Sequence, residues 1–368
     1  MISYSAKSFS YENFLTLTLP FLKNMKKETL KIFSDFTRIE ENFITELWEN
    51  PYIVVNDISE IPKESRTSVR IIITYTIRKK NKVNDNRNIY YPYSLKLKTI
   101  FKITSKWLSG IYTPAEVVHG FVKGKSIRTN SEPHLESILL VKLDLKNFYE
   151  QIDYERIFNS LINLGVDEDK SKLISKICTI NGNLVQGFST SPVISNIVTN
   201  DLDIILQEYC LTQKINYSRY ADDMSFSAMH HNIDINKIKE LIEEFGYSIN
   251  QEKTKILKRG FFQTVTGLTI FDNIRPRIPK RIKRNLRLEV YYINKYGIKN
   301  HSIRRLVKYG KYNKKTNAEE ELKEEINRTR ERIEGWINFT KGIEPEFSLK
   351  IKNLFEKRHD LKTLTNNR

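Results

Sequence analysis

Cysteine is nearly absent: the 368 residues contain only Cys178 and Cys210. Neither belongs to a C-x-x-C pair, so no disulfide framework or thiolate zinc site is indicated, and a reducing interior is the natural home. Long apolar runs are missing too. The most apolar early stretch, Phe14 to Leu22, is interrupted by Pro20, is too short to span a bilayer, and lacks the charged lead and small-residue cleavage site of a secretion signal. The expectation is a cytoplasmic protein with no membrane contact. Internal repeats and an obvious interdomain linker are also lacking, which favours contiguous subdomains around one cleft. Acidic charge is in deficit, with 44 Asp+Glu against 61 Lys+Arg, a net +17.

What is present describes a globular chain long enough for two or three domains of roughly 100–200 residues each. At 39% hydrophobic and 29% charged, with 19 Tyr and 19 Phe, it is neither a disordered polyampholyte nor a membrane bundle. The excess of positive charge points to a polyanionic partner. Its distribution is more telling: residues 51–100 carry +6, residues 201–250 carry −5, and residues 251–368 carry +16. An enzyme that holds cations between two arms gripping a polyanion has this layout. A merely uneven, solvated surface has it as well.

Along the chain, apolar residues at helical spacing (Phe14, Leu15, Leu17, Phe21, Leu22, then Ile32, Phe33, Phe36, Ile39) predict a small helical lobe broken at Pro20. The β-branched run Val69 to Ile77, the polar RKKNKVNDNRN and then IYYPY predict a hairpin with a long basic tip carrying Lys79, Lys80, Lys82 and Arg87. Leu95 to Leu108 predicts an amphipathic helix. Residues 137–149, SILLVKLDLKNFY, predict a buried strand with Asp144 near its end. Helices are expected over Tyr154 to Leu164, Asp167 to Cys178 and Pro192 to about Tyr209, the last preceded by a Gly/Ser/Thr-rich loop. INYSRYADDMSFSA predicts strand, turn and strand with Ala221-Asp222-Asp223 as the turn. After a short helix, Ile235 to Phe245, and a hairpin-like section through Phe261 to Ile270, the chain is helical and basic from Pro279 onward.

A lone carboxylate on a buried strand is costly unless it is paired or metal-bound. If Asp144 converges with Asp222 and Asp223, the three need a cation, because crowded like charges do not all ionise alone. Hard Mg²⁺ takes carboxylate and phosphate oxygens, and the matching chemistry is two-metal phosphoryl transfer. A D-D pair by itself is more often a solvated turn.

Three motifs in order lift that ambiguity. Tyr220-Ala221-Asp222-Asp223 resembles the Y-x-D-D turn of reverse transcriptases, the run Leu143 to Tyr149 resembles their first catalytic strand, and Gln186 to Pro192 resembles their Q-G-x-x-x-S-P loop and helix. The likeness runs from roughly residue 70 to 270. It implies an α+β right-hand polymerase with fingers, palm and helical thumb around a nucleic-acid cleft. Residues 1–50 would be a helical N-terminal lobe, 51–136 fingers, 137–275 palm with helices 154–209 inserted, and 276–368 a basic thumb. It implies that Asp144, Asp222 and Asp223 are catalytic and, with the Leu145 carbonyl, hold two Mg²⁺ ions, with Mn²⁺ as a substitute. Tyr149 falls where the family places its aromatic gate against a ribose 2′-OH, the alternative being an ordinary core aromatic. Gln186 and Gly187 would approach nucleotide and template, Gly187 because a residue without Cβ permits close backbone contact. Lys79 and Arg87 would clamp the dNTP triphosphate unless they are simply a solvated tip.

Two further elements resemble the retron-type bacterial branch: Val265-Thr266-Gly267 matches its V-T-G triplet, and Asn130-Ser131-Glu132-Pro133-His134 its N-A-x-x-H element with Ser131 in place of Ala. His119 and His134 read equally well as hydrogen-bonded turn histidines. Asn147 and Tyr149 also depart from the commoner K-D-F-F form, leaving a neighbouring lineage open. Tyr220, Asn130, His134, Val265, Thr266 and Gly267 are thus candidate nucleic-acid contacts, as are Arg281, Lys283, Arg284 and Arg287 on a basic thumb helix followed by Tyr291 and Tyr292. Gly335-Trp336-Ile337 reads as helix packing. Nothing resembles an RNase H, an HNH endonuclease or a maturase. The resemblance implies copying of a cognate structured non-coding RNA, which serves as template and primer, into single-stranded DNA. An RNA-DNA hybrid product and antiphage defence beside a separate effector protein follow, and a homo-oligomer stays open. The competing readings are a defence-associated reverse transcriptase of another group, making repetitive, non-templated or protein-primed DNA, and an idle RNA-binding scaffold.

Overall fold

The computed structural model describes residues 27–78, 86–308 and 318–357. The chain forms two compact units from alternating segments: the first takes residues up to 121, 145–206 and 236–250, the second 122–144, 207–235 and 251 onward. Lys79, with Lys80 and Lys82, and the first half of the expected N-terminal lobe lie outside the described residues.

In the first unit the strands Ile53–Val55, Ile71–Arg78 and Asn86–Pro92 make a three-stranded sheet, the first pair parallel and the second antiparallel. The run of β-branched residues supplies its buried centre, Ile71, Ile72 and Ile73. Arg87 is exposed on the third strand, opposite Ile77. Helix Leu95–Ile111 buries Leu97, Ile100, Phe101, Thr104 and Leu108, a stripe at helical period. The Phe101 ring lies 4.4 Å from Phe188, which also meets Tyr52. Helices Tyr154–Asn163 and Glu168–Ile177 begin where the carboxylates of Asp153 and Asp167 accept from the N–H groups of Arg156 and Lys170.

The second unit is built on a four-stranded antiparallel sheet in the order Asn216–Tyr220, Asp223–Ala228, Leu139–Asp144, Lys255–Lys258. Side chains alternate between its faces. Val141, Leu143, Met224 and Phe226 make one face apolar, with Tyr217 stacked on Phe226 at 4.8 Å. The other carries Leu140, Lys142 and Asp144 with their cross-strand partners Ser227, Ser225 and Asp223. Over its Leu140 end packs a small cluster of Val265, Ile270, Leu135 and Leu257. Further along, helices Lys280–Tyr296, Ile298–Lys308, Ala318–Lys341 and Pro345–Glu356 share a core of Leu286, Val290, Ile293, Ile298, Ile333, Ile337, Phe347, Ile351 and Phe355. Trp336 packs against this core. The two thiols, Cys178 in the first unit and Cys210 in the second, are free and buried, and burial pushes both up to about 12. Among the described residues no helix is long and apolar enough to cross a membrane.

Candidate active site

The apolar run Leu139–Asp144 is the central strand of the second unit's sheet because it must be buried on both sides, and it ends on its single acidic residue. Asp144 lies directly opposite Asp223 in the antiparallel register. Asp223 in turn opens the strand after a two-residue turn, Ala221-Asp222, closed by the Tyr220 and Asp223 pair. Ala221 has φ +57°, a left-handed conformation that an alanine adopts only at a cost of roughly 1–2 kcal/mol. Arg219, fully buried, donates to the Ala221 carbonyl at 3.2 Å and helps to hold that conformation.

Like charges directly across a sheet destabilise it, and here the register enforces the pair. Burial, then Asp223, then Asp144 push the Asp222 carboxyl above the usual carboxylate range. Asp223 is raised as well, chiefly by burial and further by Asp144, with Lys142, Lys253 and Lys255 pulling the other way. The Lys253 ammonium reaches both oxygens of Asp144 at 2.8 Å.

The residues that the sequence reading assigned to metal fit a divalent cation by donor chemistry: three hard carboxylates, two of them with raised proton affinity, and the third already drawing an ammonium to both of its oxygens. Among the described residues no group of three or more His, Cys, Asp or Glu side chains is arranged to hold a metal ion.

Leu145, one residue on, is buried in the first unit, bridged to Ile249, with the Lys146 N–H on the Ser248 carbonyl at 2.8 Å. The turn that follows has Asn147 at φ +47°, a conformation Asn tolerates better than most residues. Tyr149 is half-buried against Phe148, ring centroids 5.5 Å apart. Gln186 accepts from the Tyr90 N–H through its carbonyl at 2.8 Å. At Gly187, with φ +112°, a Cβ would stand 2.2 Å from the Tyr90 carbonyl oxygen, so the close approach that requires glycine is made to the unit's own sheet.

The two elements at Asn130 and Val265 meet in the second unit. Asn130 donates through Nδ2 to Thr266 Oγ1 at 3.4 Å, and Thr266 donates to the Ile127 carbonyl at 3.1 Å. Ser131, the departure from alanine, has its hydroxyl 2.9 Å from the Val265 carbonyl. Thr266 and Gly267, at φ +44° and +85°, form the two-residue turn between Thr264–Val265 and Leu268–Thr269. His134 is fully buried, with Ser227 Oγ 2.7 Å from Nδ1 and Ser218 Oγ 2.7 Å from Nε2. Ser218 donates to the Asn130 carbonyl, so it accepts from Nε2–H, and Nδ1 accepts from Ser227. The histidine therefore ties together the two strands that carry the Tyr220 to Asp223 turn. Tyr220 itself is half-buried.

On helix Lys280–Tyr296, Arg281 and Arg284 are exposed. Lys283 is paired with Glu344 at 2.9 Å, and Arg287 lies 5.1 Å from the Phe347 ring centroid. Sequence reasoning missed Lys253, Arg219 and the serines 218 and 227. Only Arg219 had a signal, a cation beside the acidic turn.

The reverse transcriptase (RNA-dependent DNA polymerase) family profile matches residues 61–270. The Retron Ec73 reverse transcriptase of Escherichia coli is 30% identical over 298 residues, covering 73% of this chain and 83% of that one. The Retron Ec86 reverse transcriptase of the same organism is 28% identical over 254 residues, 65% of this chain and 79% of that one. The Retron Mx65 reverse transcriptase of Myxococcus xanthus is 31% identical over 199 residues, and the chain spans just under half, 46%, of its length. A solved telomerase from Candida albicans with a TWJ fragment of telomeric RNA aligns over 86% of this chain and 63% of that one, at 12% identity and a TM-score of 0.43.

Proposed function

The chain belongs to the reverse transcriptase family, in its bacterial retron type, and from that premise we propose that it copies a cognate structured non-coding RNA into single-stranded DNA. The setting proposed is the cytoplasm, in antiphage defence beside a separate effector protein. One observation carries the reading: the antiparallel register puts Asp144 opposite Asp223, with Asp222 in the adjoining turn.

In this reading Asp144, Asp222 and Asp223, with the Leu145 carbonyl, hold two Mg²⁺ or Mn²⁺ ions. Divalent ions so placed supply Lewis-acid activation of the attacking hydroxyl and neutralise the leaving pyrophosphate. The chain's own residues do the rest. Lys253 holds the Asp144 carboxylate in position and offsets its charge. Arg219 fixes the turn, and His134 fixes the strands on either side of it. Tyr149 selects against a ribose 2′-OH, while Gln186 and Gly187 border the nucleotide and template, and Arg87 with Lys79 meets the triphosphate. Arg281 and Arg284, exposed on the thumb helix, follow the phosphates of the RNA or the hybrid product. The domain division proposed is fingers over 51–136, palm over 137–275 and thumb from 276.

The test is purification from the native locus without nuclease, followed by sequencing of the bound nucleic acid before and after RNase and proteinase treatment. One discrete RNA joined to a short DNA that survives proteinase is expected. Repetitive DNA linked to protein would transfer the chain to the other defence-associated group, and absence of nucleic acid would favour the scaffold.

A further inference from the structure

Two helices of the second unit, Lys280–Tyr296 and Ile298–Lys308, follow one another across the single residue Gly297, whose φ of +84° reverses the chain without a linker. That tight connection brings the end of the first helix against the face of the second. A cavity of about 440 Å³ results, lined by Tyr292, Tyr296, His301, Arg304, Arg305 and Lys308. Its size falls in the range of about 300–1,000 Å³ usual for small-molecule sites.

The lining divides into a fixed part and a free part. Arg305 is held by Glu325 at 2.9 Å and by Glu289 at 3.6 Å, and His301 by Glu289 at 3.2 Å. Arg304 and Lys308 are exposed, and neither has a carboxylate partner among the described residues. Arg304 instead lies over the Tyr296 ring at 4.8 Å. The Tyr292 and Tyr296 rings run near-parallel, 22° apart with centroids at 6.1 Å, and remain 39% and 37% exposed.

The Lys295 ammonium also lies 5.2 Å from the Tyr296 centroid, so two tyrosines, each more than a third exposed, sit among three cations, and that is a surface suited to an unstacked base with its phosphate. A paired duplex offers phosphates but keeps the faces of its bases covered, so it leaves these rings without a partner. An unpaired nucleotide satisfies both, the base on tyrosine or on the arginine plane and the phosphate on the cations.

We propose that this cavity is a binding site for one unpaired nucleotide of an RNA, with Tyr292 and Tyr296 as the stacking platform and Arg304 and Lys308 as the phosphate contacts. The proposal rests on the reading above that the chain engages a structured RNA, and it adds a place where a bulged or loop base is held.

The test uses the full chain and three probes: a hairpin RNA with one bulged nucleotide, the same hairpin without the bulge, and the bulged hairpin as DNA. The wild type is expected to bind the bulged RNA about tenfold more tightly than its parent, the scale of one base stacked on an aromatic ring. Tyr296→Leu should erase that preference and Tyr296→Phe should keep it, while Arg304→Gln should weaken the bulged RNA more than the parent. Equal binding of bulged and parent RNA by the wild type would overturn the site, as would a preference that survives Tyr296→Leu. Equally tight binding of the bulged DNA would overturn its assignment to RNA. Extension of oligo(dT) on poly(rA) by the wild type, run in parallel, reads the polymerase function separately: extension without a bulge preference removes the cavity alone, and a bulge preference without extension removes the polymerase reading alone.

Discussion

Two turns in the second unit solve the same geometric problem with different means. The Ala221-Asp222 turn and the Thr266-Gly267 turn each join antiparallel strands through two residues, and each begins with a non-glycine residue at positive φ, +57° and +44°. At Thr266 the strained residue is tied by hydrogen bonds to Ile127 and Asn130, and glycine takes the second left-handed position. At Ala221 a buried arginine holds one carbonyl, and the next two residues are carboxylates whose proton affinity is raised chiefly by burial, further by Asp223 in the case of Asp222, and by Asp144 in both. One turn is consistent with its neighbours at every level. The other conflicts with them, and such local conflict is a mark of functional sites.

The contrast is sharpened most by removing charge. Asp222→Asn or Asp223→Asn should lower DNA synthesis by about a thousandfold or more, as loss of a group that stabilises developing charge does, while RNA binding measured by filter retention persists. Synthesis at the wild-type rate would dismiss both carboxylates from the chemistry.

A second effect has a definite sign. Both carboxyls have folded-state pKa values above their unfolded ones, so the ionised forms are disfavoured in the fold. In metal-free buffer, stability should fall as pH rises from the ordinary carboxylate range through the raised one, and the penalty should be complete above it. Thermal melts with and without Mg²⁺ read this directly: the cation should raise Tm at neutral pH in the wild type and do so much less in the two Asn variants. A Tm indifferent to Mg²⁺ in all three would separate the repulsion from any cation.

At the quieter turn the expected losses are of stability. Thr266→Val removes the hydroxyl that serves Ile127 and Asn130 and should cost about 1–3 kcal/mol by urea unfolding. Gly267→Ala meets no atom within 4 Å, so only its φ of +85° counts, and about 1 kcal/mol is expected. A larger loss from Gly267→Ala than from Thr266→Val would mean that backbone strain, not hydrogen bonding, sets this turn.

Local pattern made the acidic strand and turn legible. The apolar run into Asp144 announced a buried strand, and Ala221-Asp222-Asp223 between two polar, aromatic runs announced a hairpin, whose turn the structure narrows to Ala221-Asp222. The partners of these elements were not legible, because they come from far along the chain. Lys253 reaches Asp144 across 109 positions, and His134 reaches Ser227 and Ser218 across 93 and 84. Lys283 looked like a free phosphate contact until Glu344, 61 residues away, was found against it. The glycine at 187 reads as a close-approach residue, but the atom approached is the Tyr90 carbonyl on strand Asn86–Pro92, which no spacing rule specifies. Strand Lys255–Lys258, half hidden in a basic stretch, joins the central sheet only because Leu139–Asp144 has a second edge to fill.

The buried thiols bear on how this chain is handled. With both cysteines enclosed and their proton affinity raised to about 12, almost no thiolate exists at neutral pH, and thiolate is the species that alkylating reagents and peroxides attack. The folded protein should therefore tolerate air and maleimides without a reductant. A single cysteine introduced on the surface would then carry a fluorophore against a silent background, allowing each unit to be tracked by its own label while nucleic acid is bound.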